Sequence, residues 1–307
     1  MIYALVNPRA GAGDAARKLP DLLRELTRRG LDHRVLQTSV PGEATSLARQ
    51  ARKSGAECII VVGGDGTLNE VVQAYVDQDG SVIPGPELAL LPAGTGGDFR
   101  RTLNLPRAGP DAVAHLLGAP AKPVDLGIVR LSDADGAPVV RAFINVMSFG
   151  ISGVVDGLVN RGPKWIGGRA AFLAATLRAL VTYRNVPVRV AVDDEVLLNG
   201  PILNVAVANG RYFGGGMQIA PDADPGDGLF DIVGMTDLTR LQGLSLSAHI
   251  YRGSHMSRHG IVHRRGKVVV AEPLRGGSRV LIDLDGETPG QLPLTAWIAP
   301  GALRFRA

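Results

Sequence analysis

Ile59-Ile-Val-Val-Gly-Gly-Asp-Gly-Thr-Leu-Asn-Glu70 joins a short apolar segment directly to a glycine-rich turn. The β-branched residues at its start predict a buried strand, and the apolar spacing after Gly66 predicts a helix that begins at Thr67. Glycines at such a junction let the backbone turn sharply and approach a ligand, because no Cβ intervenes. Free amide N–H groups at a helix start attract anions. The segment is therefore typical of a phosphate-binding loop, although not of the Gly-x-x-x-x-Gly-Lys-Ser/Thr type.

The same turn also has a purely structural interpretation. Thr67 and Glu70 have the spacing of a capping box, so we expect them to cap the helix whatever else they bind. A glycine-rich turn between a strand and a helix is common in parallel α/β proteins and is weak support by itself. Asp65 lies in the middle of the turn, a position that suits a carboxylate acting on a metal ion or its water.

Two similar junctions favour the phosphate interpretation. The strand-like segment Ile2–Val6 leads into Asn7-Pro-Arg-Ala-Gly11, and a later apolar run leads into Pro92-Ala-Gly-Thr-Gly-Gly-Asp-Phe99. A further predicted strand ends at Thr38, and a helix is predicted after it, from about Glu43 to Lys53. Strands that alternate with helices predict a parallel sheet, and ligands of such sheets bind at the carboxyl ends of the strands. We therefore expect these loops to converge on one nucleotide.

The first loop has a rival interpretation as a dinucleotide-binding fingerprint. Gly11-Ala-Gly-Asp-Ala-Ala16 fits the loose G-x-G-x-x-G/A pattern. In that fold the second strand should close on an acidic residue that binds the ribose hydroxyls. Here it closes on Gln37-Thr38, so the sequence disfavours a Rossmann-type NAD site.

The bulk composition is that of a globular protein with two domains. The chain has 307 residues, of which 45% are apolar and 20% charged. The net charge of +4 is small for this length, and no basic run with interleaved aromatic residues is present, so we do not expect nucleic-acid binding. Cys58 is the only cysteine, which excludes an internal disulfide and is consistent with a reducing cytoplasm. No apolar run reaches the roughly 20 residues that cross a bilayer.

After Val124-Asp-Leu-Gly127 the pattern changes to short β-rich runs, which predict a separate β-sandwich or barrel-like domain. Two helical stretches interrupt these runs, near Trp165 to Thr182 and near Thr236 to His249. The predicted strands are Val139 to Val146, Val186 to Val192, Ile202 to Ala208, Leu229 to Val233, Ile261 to Ala271 and Ser278 to Asp283.

Two acidic turns in this half have open interpretations. Asp222-Ala-Asp-Pro-Gly-Asp-Gly-Leu229 and Asp283-Leu-Asp-Gly-Glu287 both cluster carboxylates. Clustered carboxylates suit Mg²⁺, a hard ion that needs oxygen ligands. Asp-Gly is also the commonest hairpin dipeptide, so both segments could be solvated turns.

Three histidines recur at four-residue spacing, at His255, His259 and His263. Metal ligands on a helix can have this spacing, but Gly253 and Gly260 would break such a helix. We expect these histidines to lie in a loop or at a sheet edge.

Taken in order, the motifs resemble those of the diacylglycerol kinase catalytic-domain family, which includes bacterial lipid kinases and sphingosine kinases. The resemblance extends over essentially the whole chain. Gly63-Gly-Asp-Gly-Thr-Leu-Asn-Glu70 is similar to the family signature, and the chain departs from the family at Gly97, where asparagine is usual. The other similar segments are Asn7-Pro-Arg-Ala-Gly11, Pro92-Ala-Gly-Thr-Gly-Gly-Asp-Phe99, Val124-Asp-Leu-Gly127, Asn209-Gly-Arg-Tyr-Phe-Gly-Gly-Gly-Met217, Asp227-Gly-Leu229 and Asp285-Gly-Glu287.

This resemblance implies ATP- and Mg²⁺-dependent phosphorylation of a lipid hydroxyl. It implies that Asp224, Asp227 and the carbonyl of Leu229 bind Mg²⁺, and that Asp65 and Asp125 act through the water of the metal. Glu287 would take the proton from the attacking hydroxyl. The residues implied to bind ATP are Asn7, Pro8, Arg9, Ala10, Gly11, Thr38, Gly64, Asp65, Gly66, Thr67, Leu68, Asn69, Glu70 and Thr95.

The resemblance also implies an α/β N-terminal domain with a parallel sheet and a C-terminal β-sandwich domain. We place the first domain at residues 1–125, the second at 126–291, and a tail at 292–307 that returns to the first domain. The implied location is the cytoplasm, with peripheral contact at the inner face of the membrane, for which Lys164-Trp165 and Arg169 are candidates.

Several functional alternatives stay open. Diacylglycerol, phosphatidylglycerol and sphingoid bases all fit as the acceptor, and a homodimer is one option for the assembly. The alternative functions are an NAD kinase-like enzyme that phosphorylates a soluble nucleotide and a non-catalytic regulator that binds nucleotide or lipid.

Overall fold

The N-terminal domain is built on a parallel sheet in the order β4-β3-β1-β2. The computed structural model describes the whole chain except residues 95, 108–109, 162–177, 180–182, 237 and 276–278. All three strand pairs of this sheet are parallel, which confirms the predicted architecture. The strands are β1 (Ile2–Val6), β2 (His33–Gln37), β3 (Cys58–Gly63) and β4 (Glu87–Pro92).

Helices cover both faces of this sheet. Alternate residues of a strand point to opposite faces. Ile59 and Val61 of β3 therefore join one apolar core, and Ile60 and Val62 join the other. Because both faces are covered, the strands read as continuous apolar runs. The helices are α1 (Asp14–Arg28), α2 (Glu43–Lys53), α3 (Asp65–Val72), α4 (Asp98–Thr102) and α5 (Pro110–Gly118), with a 3-10 turn at Gln73–Tyr75.

The C-terminal domain is rich in antiparallel strands that surround an apolar core, and a second apolar cluster packs on the outside of these strands. Two long strands, β9 and β16, close a ring of hydrogen-bonded strands in the order β9-β7-β15-β16-β14-β8-β9. Inside this closed set of strands, the aromatic side chains of Phe143 and Phe230 stack with their centroids 5.5 Å apart. The strands are β5 (Ala121–Ser132), β6 (Pro138–Phe143), β7 (Val146–Gly150), β8 (Val186–Val192), β9 (Glu195–Ala208), β10 (Tyr212–Phe213), β11 (Met217–Gln218), β12 (Phe230–Thr236), β13 (Ile261–Gly266), β14 (Val268–Pro273), β15 (Leu281–Leu284) and β16 (Glu287–Arg306). The helices are α6 (Ile151–Arg161) and α7 (Arg240–Tyr251).

Strand β16 connects the two domains. It pairs with β15, β14 and β5, and Phe305 near its end pairs in parallel with Leu88 of β4. The ring of Phe305 also packs edge-on against Phe99, with ring centroids 5.6 Å apart. The last residues of the chain therefore belong to the core of the N-terminal domain.

Some predicted elements differ from the observed ones. The run Ile261 to Ala271 forms two strands, because the Asp193 carboxylate accepts hydrogen bonds from the amides of Lys267 and Val268 and interrupts the pairing. The second predicted helix begins later, at Arg240, where Thr239 forms a capping box with Gln242. The helix predicted near Trp165 to Thr182 lies, but for two residues, outside the described part of the chain. None of the described helices combines the length and the hydropathy that crossing a membrane requires.

Candidate active site

The three glycine-rich loops meet at the carboxyl edge of the parallel sheet. The Asn7 side chain donates a hydrogen bond to Thr67 Oγ1 over 3.2 Å, which joins the first loop to the second. A Cβ added to Gly94 would lie 2.7 Å from the Cα of Gly64, and one added to Gly11 would lie 2.2 Å from the carbonyl oxygen of Ala93. The loop backbones are thus in direct contact, and these positions have no room for a side chain.

The helix after the central loop begins earlier than predicted, at Asp65, and Gly64 precedes it without any side-chain cap. The prediction that Thr67 and Glu70 cap this helix is wrong. Because the helix starts at Asp65, Thr67 lies within its first turn. The Thr67 hydroxyl accepts the bond from Asn7, and Glu70 Oε2 accepts a bond from the Ala44 amide in α2 over 3.0 Å.

Asp65 holds the third loop. Its carboxylate accepts hydrogen bonds from the backbone amides of Asp98 at 3.0 Å and Phe99 at 3.2 Å, at the start of α4. Asp98 in turn pairs with Arg101 at 2.5 Å and accepts a bond from the amide of Gly215 in the C-terminal domain at 2.7 Å. Burial, and then the nearby charge of Asp65, raise the pKa of Asp98 to about 6.

The structure explains why glycine can stand at position 97, where asparagine is usual in the family that the sequence resembles. Its φ of 65° lies in the left-handed region, immediately before α4. Glycine and asparagine are the residues that adopt this conformation most readily. The replacement therefore preserves the path of the loop and removes only a side-chain amide. Thr95, which the resemblance implies in ATP binding, lies outside the described residues.

Asp125 organises the acidic turn of the C-terminal domain. It is buried in β5, and its two carboxylate oxygens accept bonds from the amides of Gly228 and Gly301, each at 2.7 Å. Burial is the main cause that raises the pKa of Asp125. This carboxylate therefore fixes the turn that carries Asp224 and Asp227.

The turn offers a donor set that fits Mg²⁺. Asp224 and Asp227 each use one carboxylate oxygen to accept a local backbone amide, and the second oxygen of Asp227 forms an ion pair with Arg265 of β13. Together with the Leu229 carbonyl, these are hard oxygen ligands, and Mg²⁺ in proteins keeps several waters as its remaining ligands. No group of three or more acidic, histidine or cysteine side chains converges on a single point within the described ranges.

Asp285 braces the hairpin turn that carries Glu287. Leu284 pairs with Glu287 across the turn, and Asp285 and Gly286 both have positive φ, as a two-residue type I′ turn requires. Burial raises the pKa of Asp285 to about 6, against the opposing effect of its hydrogen-bond donors. The four donors are Asn69 Nδ2 at 3.0 Å and the amides of Ile144 at 2.9 Å, Asn145 at 3.1 Å and Val146 at 2.9 Å.

This turn places Glu287 beside the central glycine loop. Its Oε1 atom lies 3.9 Å from the position that a Cβ on Gly66 would occupy. Glu287 is exposed at the rim of the site, and partial loss of water around its carboxylate, followed by the charges of Glu70 and Asp283, raises its pKa. A carboxylate with a raised pKa next to a predicted phosphate loop is chemically suited to accept a proton.

Other polar residues of the site have no clear signal in the sequence. Asn209 donates from its buried amide to the carbonyls of Asp125 at 3.0 Å and Ile144 at 2.7 Å. Asn145 donates to the carbonyl of Tyr212 at 2.7 Å. Asn209 begins the segment 209–217, which is similar to the family, but only the folded chain brings it to Asp125.

Among the described residues, His255 contacts none of the proposed ligands, whereas His263 shares Asp231 with Arg265, the partner of Asp227. His255 is fully buried with Nε2 3.0 Å from the Ile219 carbonyl, and His263 lies on β13 with Nε2 2.7 Å from Asp231.

Comparison with known proteins matches both domains. The model of the diacylglycerol kinase catalytic domain matches residues 1–129, and that of the YegS C-terminal NAD kinase beta sandwich-like domain matches residues 145–307. The chain is 31% identical over 304 residues to a diacylglycerol kinase of Mycobacterium tuberculosis, covering 99% of this chain and 94% of the relative. It is 28% identical over 293 residues to a diacylglycerol kinase of Bacillus subtilis, covering 94% and 90%.

Solved structures show the same fold. A crystal structure of a putative diacylglycerol kinase from Bacillus anthracis aligns with a TM-score of 0.78 and 25% identity, over 99% of this chain and 94% of that one. Yeast NADH kinase aligns with a TM-score of 0.50 and 9% identity, over 99% and 82%, which concerns the fold alone. The predicted enzyme class, a phosphotransferase of the lipid kinase type, is confirmed, and the chain belongs to the diacylglycerol kinase catalytic-domain family.

Proposed function

We propose that this protein transfers the γ-phosphate of ATP to the hydroxyl of diacylglycerol or a related lipid, in a Mg²⁺-dependent reaction. The observation that carries the proposal is the placement of Glu287, from the C-terminal domain, against Gly66 of the central glycine loop. The names of the relatives, which are diacylglycerol and lipid kinases, support the choice of a lipid acceptor.

The glycine loops would bind the phosphates of ATP. Phosphoryl transfer requires donor and acceptor in line and neutralisation of the charge on the phosphoryl oxygens. Backbone amides of the first and central loops can supply part of that neutralisation, since glycine lets them approach closely. Residues Asn7 to Gly11, Thr38, and Gly64 to Glu70 are the proposed nucleotide contacts, together with Thr95.

Mg²⁺ would be held by Asp224, Asp227 and the carbonyl of Leu229. When bound, it would neutralise charge on the phosphate oxygens. Asp125 fixes this turn through the amide of Gly228, and Asp65 fixes the third loop through the amides of Asp98 and Phe99. Arg265 forms an ion pair with Asp227, so it would have to leave that carboxylate oxygen when the metal binds there.

Glu287 would act as the general base. Its raised pKa makes it a stronger base than an ordinary glutamate, and its turn is braced by Asp285. The carboxylate would accept the proton of the lipid hydroxyl as that oxygen attacks the γ-phosphorus. The bond from the γ-phosphorus to the bridging oxygen would break, and ADP would leave.

The lipid acceptor requires reversible contact with a membrane, which we propose at the inner face. The predicted docking residues Lys164, Trp165 and Arg169 lie outside the described part of the chain. Diacylglycerol, phosphatidylglycerol and sphingoid bases each present a hydroxyl near an apolar tail, so they are the substrates to compare.

The test is phosphate transfer from radiolabelled ATP to extracted lipids, run in parallel with transfer to NAD. We expect label in a lipid only when Mg²⁺ is present, and mass spectrometry of the product identifies the acceptor. A chelator and the Glu287→Gln variant are the controls, and both should abolish the labelled lipid. Label in NAD would instead favour the NAD kinase-like alternative, and label in neither would favour a non-catalytic regulator.

A further inference from the structure

A cleft of about 470 Å³ opens between the two domains, and its lining contains none of the residues assigned to ATP, Mg²⁺ or proton transfer. We call it the seam cleft. Its volume lies within the range of small-ligand pockets, about 300–1,000 Å³. One wall is a face of α2, and the opposite wall is β6 of the C-terminal domain. Its lining includes Thr45, Ser46, Arg49, Gln73, Asp77 and Arg141.

The seam cleft carries one arginine from each domain. Within the ranges that the structure covers, Arg49 forms no hydrogen bond or ion pair, and Arg141 donates only to the carbonyl of Val140, at 3.0 Å. Guanidinium groups that lack a carboxylate partner are suited to a phosphate, which they bind with charge-assisted hydrogen bonds. Asp77, on the same lining, is suited to a hydroxyl or ammonium group of the same ligand.

The walls of the seam cleft are hydrogen-bonded to the central glycine motif. Thr45 Oγ1 donates to the carbonyl of Glu70 at 2.7 Å. Gln73 donates to the carbonyl of Asn69 at 3.0 Å and also exchanges bonds with the backbone of Ala142 in β6, at 2.7 and 2.9 Å. A ligand in the seam cleft would therefore connect α2 to β6, next to the link that Gln73 makes between α3 and β6.

We propose that the seam cleft binds a phosphate ester that also carries a hydroxyl or ammonium group. Arg49 and Arg141 hold the phosphate from opposite domains, and Asp77 accepts a hydrogen bond from the second group. The phosphate can belong to a soluble ester or to a lipid headgroup. Binding at this site does not depend on the proposed kinase function, whereas an effect on phosphate transfer would rest on it.

The test is equilibrium binding of glycerol phosphate to the full chain, measured by calorimetry without nucleotide. We expect Arg49→Gln and Arg141→Gln each to weaken binding about tenfold, the loss expected for one charged hydrogen-bonding partner. Arg34→Gln, an exposed arginine on β2, is the matched control and should leave binding unchanged. Ser46→Trp fills the cleft without changing its charge and should abolish binding. Circular dichroism verifies that each variant is folded.

Two measurements together distinguish a lipid headgroup from a soluble ester as the source of the phosphate. Flotation with phosphatidylcholine vesicles, with and without phosphatidic acid, detects a lipid headgroup, and glycerol phosphate alone detects a soluble ester. Loss of either kind of binding in the two arginine variants supports the proposal. Equal binding by wild type and all variants would place the phosphate elsewhere and overturn the proposal. Neither readout requires turnover, so failure here is distinct from failure of the proposed function.

Discussion

Replacing Glu287 with glutamine removes the proposed base but keeps the length and hydrogen-bonding capacity of the side chain. We expect kcat to fall by about 10²–10⁴, the usual contribution of a general base, while the Kd for ATP changes little. Steady-state kinetics and nucleotide binding to the same preparation measure both quantities. Glu195→Gln, an exposed glutamate paired with Arg264, is the control and should leave both unchanged. A Glu287→Gln enzyme with most of its turnover would exclude Glu287 as the base.

The charge of Glu70 contributes to the raised pKa of Glu287, so removing that charge should shift the pH dependence of catalysis. Partial loss of water around the Glu287 carboxylate is the first cause of the rise, and the charges of Glu70 and Asp283 are the next. Because the base must be deprotonated, kcat/KM should fall as the pH decreases through this raised pKa. Glu70→Gln removes one negative charge, lowers the pKa of Glu287 and moves the acidic limb of the profile to lower pH.

The pH profile of kcat/KM measures this shift. Glutamine keeps an oxygen that can accept the bond from the Ala44 amide, so the contact with α2 survives. Glu57→Gln is the control, because Glu57 is exposed and pairs with the N-terminal amine. An acidic limb that stays in place in Glu70→Gln would contradict the electrostatic coupling.

The contact between the central and third loops predicts that Gly94→Ala disrupts nucleotide binding. The new Cβ would lie 2.7 Å from the Cα of Gly64, so the two loops must separate. Overpacking of this kind costs about 1–3 kcal/mol, and we expect a similar loss in the free energy of ATP binding. Gly118→Ala is the matched control, because its Cβ would have no neighbour within 4 Å. Equal ATP affinities of the two variants, measured by calorimetry, would show that the contact is dispensable.

A secondary-structure element can be predicted from the sequence when the interactions that define it lie within its own residues. Helix α2 is observed at Glu43–Lys53, as predicted, since its periodicity and boundaries lie within its own residues. The predicted start of α3 is two residues too late, because Thr67 bonds to Asn7 of the first loop and Glu70 bonds to Ala44 of α2 instead of capping the helix. Strand β16 was not predicted as one strand of 20 residues, because its partners lie in both domains.

The residues of the candidate site also divide into those with a local sequence signal and those whose position depends on distant contacts. The glycine loops follow from strand, turn and helix signals, and their common edge follows from parallel topology. The approach of Glu287 to Gly66 could not be predicted from spacing, because it depends on the Asp285 turn. That turn is held by bonds to Ile144, which follows β6, and to Val146, which begins β7. The resemblance to a family supplied the role of Glu287. Asn145 has no signal in the sequence, since a buried amide has no periodicity that marks it, and Asn209 belongs to a family-like segment but its role is visible only in the fold.

The two domains are joined by polar bridges as well as by β16, and Asn69 forms one that reaches the turn of Glu287. Its amide donates to Asp285 at 3.0 Å, and Asp285 lies two residues before Glu287. Asn69→Ala leaves the Asp285 carboxylate with its backbone donors only. We expect the free energy of unfolding to fall by about 1–3 kcal/mol, the cost of losing a hydrogen bond to a charged group.

The effects of Asn69→Ala on kcat and on the KM for ATP distinguish two roles of Asn69, as a bridge between the domains or as a contact of the nucleotide. If Asn69 positions the turn of Glu287, kcat should fall while the KM for ATP stays nearly constant, because only the transition state loses an interaction. If Asn69 instead binds ATP, as the family resemblance implies, KM should rise with little change in kcat. Asn199→Ala, at an exposed asparagine of β9, should change the unfolding free energy by less than about 0.5 kcal/mol. An Asn69→Ala enzyme with unchanged stability and unchanged kcat would show that the two domains position Glu287 without this bond.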